Sequence, residues 1–141
     1  MKRILLTLSL AFLAIGAMAQ EATGDEYYKL KLERRQNLTI KEWNTNAKTK
    51  TRYLDHETTY DSKGRKVSET EYNPYGLVWR ETYEYGANDR IVKEVRYDER
   101  NKPKYIRKYE YNDQNRKAKQ YNYAPTGKLI TIKVFEYIVH E

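Results

Sequence analysis

The chain of 141 residues contains no cysteine, and this absence excludes several classes of protein. It excludes a disulfide-stabilised framework, a zinc site with thiolate ligands and a lipid-modified N-terminal cysteine. Histidine is almost as rare, since only His56 and His140 occur and they lie far apart in the chain. Neighbouring residues cannot supply a two-histidine metal motif, so we predict no metal site and no cofactor.

Long apolar runs are also lacking, apart from residues 4–15. That run follows Lys2 and Arg3 and leads to Ala17-Met18-Ala19, the pattern of a secretory signal peptide that is cleaved after Ala19. The run is too short to cross a bilayer comfortably, so we expect no integral membrane anchor. The sequence therefore predicts a secreted or periplasmic protein, and removal of the two basic residues lowers its net charge from +7 to +5.

Aliphatic residues are scarce as well. Val, Ile, Leu and Phe number only 19 of the 122 residues after position 19, a composition that ordinarily favours disorder. Tyrosine reverses that interpretation, because the chain contains 15 of them and each ring can bury roughly 150–250 Å². Seven tyrosines follow one another at steps of 12, 13, 12, 14, 12 and 14 residues: Tyr60, Tyr72, Tyr85, Tyr97, Tyr111, Tyr123 and Tyr137. This spacing indicates a repeat protein.

A four-residue turn follows most of these tyrosines, and its fourth position is always Gly, Asn or Asp. These three residue types tolerate positive φ best, and Asp or Asn at the first position caps a type I turn. Each repeat is therefore predicted to be one strand and one hairpin turn. The fold class that follows is all-β, an antiparallel meander of repeated hairpins in a curved or rolled sheet with an aromatic face.

The step lengths predict how the tyrosines are arranged. An even step is expected to keep every ring on one face of the sheet. The single odd step, from Tyr72 to Tyr85, requires a bulge or a loop of another length, and we predict a bulge between Pro74 and Glu81. Short and long steps alternate, which predicts that three arginines line one rim of the sheet: Arg65, Arg90 and Arg116.

The N-terminal part is predicted to be less regular. Residues 20–28 are interpreted as a disordered lead and residues 29–141 as a single β-repeat domain. Leu30, Leu32, Leu38 and Ile40 alternate with charged residues, which predicts degenerate opening strands. No long segment holds a period of 3.6 residues, so no helix is expected.

The run Tyr60-Asp61-Ser62-Lys63-Gly64-Arg65 resembles the Tyr-Asp repeat of RHS proteins. A closer likeness is to small secreted Bacteroides proteins in domain-of-unknown-function families. It rests on the signal ending Ala-x-Ala-Gln and on units such as Tyr111-Asn112-Asp113-Gln114-Asn115-Arg116. The resemblance implies strand-and-turn units and an envelope location, and it implies no activity, substrate or site.

The aromatic face is the main candidate for binding. Its tyrosines could stack on sugar rings, and the arginine rim could hold an anion. The residues of this candidate site are Tyr83, Tyr85, Tyr105, Tyr109, Tyr111, Tyr121 and Tyr123 with Arg65, Arg90 and Arg116. The alternative is that the same rings form the core. We expect a glycan or protein partner or self-association through sheet edges, and no nucleic acid, because the chain is predicted to be exported.

A second function class is a small hydrolase that acts on envelope carbohydrate. Glycoside hydrolysis needs an acid in an apolar pocket and a second carboxylate several ångströms away, and Glu69 with Glu71 or Glu81 with Glu84 could supply such a pair. These acids recur at equivalent repeat positions, which favours a charged, solvated face that keeps sheets from aggregating. We therefore assign no catalytic residue and predict a non-catalytic binding or structural module.

Overall fold

The structure is a computed structural model that describes residues 23–140, so the predicted signal peptide lies outside the described residues. Eight strands pair in sequence order, and every pairing is antiparallel. The elements are α1 (Gly24–Glu33), β1 (Thr39–Thr45), β2 (Arg52–Tyr60), β3 (Lys66–Asn73), β4 (Gly76–Tyr85), β5 (Ile91–Tyr97), β6 (Pro103–Tyr111), β7 (Lys117–Tyr123) and β8 (Leu129–Val134). The predicted all-β antiparallel meander is confirmed, and its sheet stays open with β1 and β8 at the edges.

The N-terminal region differs from the prediction, because α1 occupies part of the expected disordered lead and the stretch around Leu30 and Leu32 that was expected to be a strand. A capping box begins this helix: the Thr23 hydroxyl accepts from the Glu26 N–H, and the Glu26 carboxylate accepts from the Thr23 N–H. Such a box satisfies two backbone donors that the first turn leaves free. The helix is too short and too polar to cross a lipid bilayer.

The turn chemistry agrees with the sequence pattern. The fourth turn residues Gly64, Asp89, Asn101, Asn115 and Gly127 all have positive φ, between 54° and 86°. The turn between β3 and β4 is the exception, because Asn73 pairs directly with Gly76 and only two residues remain in the loop. This shorter loop lies at the single odd step between tyrosines.

A bulge does occur in β4 within the predicted segment. Leu77 pairs with Tyr72 and Trp79 pairs with Glu71, so Val78 is the extra residue. The predicted cause is wrong, however, because each of the six strand pairs from β2–β3 to β7–β8 contains a comparable register shift beside its turn. One extra residue in a strand reverses the alternation of faces for the residues beyond it. A bulge at each hairpin therefore moves successive spaced tyrosines to opposite sides of the sheet.

The sheet consequently has two different faces, and the expectation that all seven spaced tyrosines share one face is wrong. The side on which α1 packs, here called the helix face, carries Tyr60, Tyr85, Tyr111 and Tyr137. The other side, here called the open face, carries Tyr72, Tyr97 and Tyr123. The spacing of 25 or 26 residues between tyrosines of one face is the true structural repeat.

Little of this single layer is buried. The buried side chains of the described residues lie on the central strands, and they are Thr58, Thr70, Glu81, Val95 and Tyr109. Both edge strands are exposed along their whole length. Most of the tyrosine rings are half-buried against neighbouring side chains on one face or the other. They therefore form neither a closed core nor a fully exposed surface.

Candidate functional site

The helix face is built by one arrangement that occurs three times. Tyr85 donates its hydroxyl to the Lys66 carbonyl at 2.7 Å, Tyr111 to the Ile91 carbonyl at 2.7 Å and Tyr137 to the Lys117 carbonyl at 2.8 Å. Each accepting residue is the one that follows a turn arginine and begins the next strand beside a bulge. The tyrosine ring therefore bridges two hairpins, and its hydroxyl is used by the scaffold.

A second tyrosine supports this arrangement in two of the copies. Tyr83 donates to Glu69 at 3.2 Å, and Tyr109 donates to Glu94. Burial, together with the negative charge of nearby glutamates, raises the pKa of both phenols well above the usual value for tyrosine. Both rings therefore stay neutral hydrogen-bond donors.

Many of the predicted stacking rings already carry a cation of the protein itself. Arg65 lies 4.6 Å from the Tyr85 ring centre, and Lys117 lies 4.0 Å from that of Tyr109. Further pairs are Arg107 over Tyr105, Arg96 over Trp79 and Arg116 over Tyr137, at 4.3, 3.7 and 5.2 Å. Such contacts stabilise the sheet surface by about 0.5–1 kcal/mol each where they are exposed, and they occupy ring faces that a ligand would need.

In the first copy of the arrangement, two acids neutralise the turn arginine. Arg65 pairs with Asp61 at 2.7 Å and with Asp89 at 2.5 Å. Burial alone would raise the pKa of Asp61, but the hydrogen bonds from Arg65 and from backbone amides outweigh it and lower that pKa. Helix α1 packs at this end of the face, where Leu32 lies so close to Gly64 that a Cβ at Gly64 would lie 2.0 Å from the Leu32 carbonyl oxygen. We call this region the capped unit: Arg65, Lys66, Glu69, Tyr83 and Tyr85.

The cleft at the capped unit measures about 400 Å³ and is lined in part by α1, and one repeat further along the same positions line a groove of about 490 Å³. We call it the open groove, and it is lined by Arg90, Ile91, Glu94, Tyr109, Tyr111, Asn115, Arg116, Lys117 and Tyr137. Gly86 and Asn115 stand where Asp61 and Asp89 stand in the capped unit. Within residues 23–140, no carboxylate therefore lies within ion-pair distance of Arg90 or Arg116, and both are exposed.

The predicted binding residues are divided by this geometry. Arg90, Arg116, Tyr109 and Tyr111 line the open groove, whereas Arg65, Tyr83 and Tyr85 belong to the capped unit. Tyr105 lies farther along the helix face, beneath Arg107. Tyr121 and Tyr123 lie on the open face, where Tyr121 donates to Glu110 and Lys108 lies over Tyr123, so they cannot join the groove.

Sequence reasoning missed Glu94, Asn115, Lys117 and Tyr137 as groove residues. Tyr137 was counted in the repeat but was not assigned to the site. The period of 25 or 26 residues was the available signal, because it relates Tyr137 to Tyr111 and Asn115 to Asp89.

The glutamates of the two pairs considered for hydrolysis lie on opposite faces or already contact other side chains. Glu81 lies on the helix face and pairs with Arg96 at 2.6 Å, while Glu84 lies on the open face and pairs with Lys93. Glu69 and Glu71 share the helix face, but Lys66, Tyr83 and His56 hydrogen bond to Glu69. Burial tends to raise the pKa of Glu69, but these contacts outweigh it and lower the pKa, which is the opposite of what a general acid needs.

No group of three potential metal-binding side chains (His, Cys, Asp or Glu) occurs within residues 23–140. No known protein family matches the chain, and no curated protein matches it either.

Among solved structures, the crystal structure of TarM shares 16% identity with this chain at a TM-score of 0.31. That match covers 76% of this chain and 23% of TarM. A mutant S. aureus TarM in complex with fondaparinux, α-GlcNAc-glycerol and UDP shares 15% identity at a TM-score of 0.30, over 75% of this chain and 23% of that one. The chain thus spans less than a quarter of TarM, and the likeness is too low to assign a fold family or a function.

Proposed function

We propose that this protein is a non-catalytic, secreted or periplasmic binding module that holds an acidic glycan in the open groove. The observation that carries the proposal is the pair Arg90 and Arg116, two exposed guanidinium groups beside aromatic rings and without a carboxylate partner in the part of the chain that the structure describes.

Charge is the first argument for an anionic ligand. The groove contains three cations, Arg90, Arg116 and Lys117, and one carboxylate, Glu94, so its formal charge is +2. Glu94 already accepts from Tyr109 and lies 3.9 Å from Arg107. Planar guanidinium groups match carboxylate and sulfate oxygens by paired hydrogen bonds.

Shape and polarity are the second argument. Tyr109, Tyr111 and Tyr137 line the groove. Lys117 lies over Tyr109 and Arg116 over Tyr137, so Tyr111 is the ring that suits the apolar face of a sugar. The amide of Asn115 lies in the same wall, and its Oδ1 is buried without a hydrogen-bond partner among residues 23–140. An unsatisfied buried amide costs free energy that a ligand or a water molecule can recover.

The binding test is an array of neutral, carboxylated and sulfated oligosaccharides, followed by titration of the best ligand at 0.15 M salt, roughly physiological ionic strength. We expect binding to the acidic members and little to neutral ones. A poly-glutamate peptide distinguishes a glycan from an acidic protein partner, because it offers carboxylates without sugar rings. Absence of binding to every acidic oligosaccharide at high protein concentration would remove the proposal.

Two variants test the groove itself. Arg116→Ala removes a cation, and Asn115→Asp places a carboxylate beside Arg90 as Asp89 lies beside Arg65. Each should weaken binding about tenfold or more, which is the usual cost of a lost charged hydrogen bond. The matched controls, Arg100→Ala and Asn101→Asp, make the same changes in the β5–β6 turn, at the opposite rim of the sheet, and should leave the affinity unchanged. Equal losses in the controls would indicate non-specific charge attraction.

The hydrolase alternative gains no specific support from the geometry, because the candidate glutamates are paired with cations or lie on opposite faces. A purely structural role would predict that the groove variants change no binding property.

A further inference from the structure

The edge strand β8 exposes a row of apolar side chains. Leu129, Ile130, Ile132 and Val134 are 42%, 59%, 50% and 64% exposed. Ile132 pairs with Tyr121 on the open face, and Ile130 and Val134 alternate with it on the same side. Contiguous apolar surface of this kind usually marks an interaction site.

The opposite edge is built differently. Strand β1 contains the adjacent charged residues Lys41 and Glu42. Charges and bulges are the usual means by which an edge strand avoids pairing with other chains. Strand β8 contains a single charged residue, Lys133, and its one bulge lies at the turn end. Of the two edges that residues 23–140 form, β8 is therefore the less protected one.

The backbone of β8 is also correctly oriented for pairing. The Phe135 N–H donates to the Ala118 carbonyl at 3.0 Å, which points inward toward β7. Hydrogen-bonding direction alternates along an antiparallel strand, so the amide and carbonyl groups of Ile132 and Val134 point away from β7. Strand order places no neighbour beyond β8 in the described chain.

We propose that β8 pairs antiparallel with β8 of a second copy of this chain, around a two-fold axis at Ile132. In that register Ile132 faces Ile132 of the other copy and Ile130 faces Val134, so apolar side chains meet on the open face. Lys133 faces Thr131 on the helix face, so no like charges are opposed. The sequence of β8 is thus self-complementary, as a two-fold interface requires.

The arrangement has a consequence for binding. A two-fold axis perpendicular to a sheet keeps equivalent faces on the same side, so the two helix faces become continuous. Both open grooves would then point toward the same surface, and a polymeric ligand could engage both. The dimer itself does not depend on the ligand.

The first test is the molar mass of the chain starting at Gln20, measured by light scattering and sedimentation over a wide concentration range. We expect a monomer–dimer equilibrium. Ile132→Lys should yield a monomer, because it opposes two charges across the axis. Ile40→Lys, the same substitution on the other edge strand, should leave the dimer intact. A chain that stays monomeric throughout, or equal loss in both variants, would overturn the proposal.

Ile132→Pro provides a second route if the lysine variant folds poorly. It removes only an outward N–H, so the β7–β8 hydrogen bonds remain and an edge strand tolerates it. A folded Ile132→Pro chain that still dimerises would contradict pairing through β8.

The symmetry is tested by disulfide formation. Because the chain has no cysteine, Ile132→Cys introduces one thiol per molecule. Two-fold pairing brings the two Ile132 positions within disulfide distance, roughly 5.5 Å between Cα atoms, so mild oxidation should yield covalent dimers. Ile40→Cys should give none at the same concentration. Growth of masses beyond the dimer, with no Ile132→Cys cross-link, would instead indicate head-to-tail pairing of β8 with β1 and refute the proposal.

Discussion

The capped unit and the open groove contain equivalent positions of the repeat, but the turn arginine is neutralised in the first and has no carboxylate partner among residues 23–140 in the second. In the capped unit, Asp61 and Asp89 neutralise Arg65, and α1 packs over the turn. In the open groove, Gly86 and Asn115 replace those acids, so Arg90 faces solvent beside aromatic rings. Two substitutions in a repeated turn therefore separate a structural contact from a candidate binding site, while the tyrosine scaffold stays the same.

The largest expected effect breaks the capped unit at its closest contact. Gly64→Ala forces a side chain into positive φ, which costs about 1–2 kcal/mol, and also drives Cβ into the Leu32 backbone. Gly127→Ala is the matched control, because Gly127 has φ 86° and no neighbour within 4 Å of an added Cβ. Chemical denaturation should show a clearly larger loss of unfolding free energy for Gly64→Ala. Equal losses would mean that α1 does not press on this turn.

The second effect concerns the buried phenol of the open groove. Tyr109 is 7% exposed and donates to Glu94, so Tyr109→Phe leaves a carboxylate short of a donor and should cost about 1–3 kcal/mol. Tyr97→Phe on the open face is the control. Thermal unfolding that shifts equally in both variants would contradict a specific role for the Tyr109 hydroxyl.

The third effect uses pH to separate the regions. The folded pKa of Glu69 is below its ordinary value, because the contacts with Lys66, Tyr83 and His56 outweigh the effect of burial. Stability from this group is therefore present above its unfolded pKa of 4.5 and is lost as pH falls through the lower folded value. Gln120 occupies the equivalent place in the third copy and does not titrate.

Denaturation at a series of acidic pH values should show this loss in the parent chain and a smaller one in Glu69→Gln. The opposite sign applies to Tyr83 and Tyr109, whose pKa values are raised by burial. Their contribution is complete below the unfolded pKa near 10 and falls as the pH rises beyond it. An acid profile that Glu69→Gln leaves unchanged would place the acid sensitivity elsewhere.

The smallest effect on stability distinguishes the two arginines. Arg65→Gln breaks two ion pairs and the contact with the Tyr85 ring, and it should cost about 1–2 kcal/mol. Arg116→Gln loses only the contact with the Tyr137 ring and should cost about 0.5 kcal/mol. Binding should respond in the reverse order, with the larger loss in Arg116→Gln. Calorimetry of both variants, with and without an acidic oligosaccharide, measures the two quantities together. An Arg116→Gln chain that loses stability without losing affinity would reverse the comparison.

Local chemistry made much of the architecture predictable. The residue types at Gly64, Asp89 and Asn101 predict positive φ at the fourth position of each turn. The hairpins and the antiparallel strand order therefore follow from the residues within each four-residue turn. The three arginines after alternate turns were also placed at one rim correctly. Helix α1 was missed because its capping box is a two-residue signal within a short segment.

The sequence alone determined the repeated unit, its turns and the supply of aromatic and basic side chains, because these depend on backbone preferences and spacing within one hairpin. Tertiary structure decided which face each tyrosine occupies, because a single bulged residue per hairpin reverses the alternation of side chains. It also decided which arginine is neutralised, since Arg65 meets Asp89 across 24 residues of chain. Contacts of that range depend on the register of neighbouring strands, which no local pattern specifies.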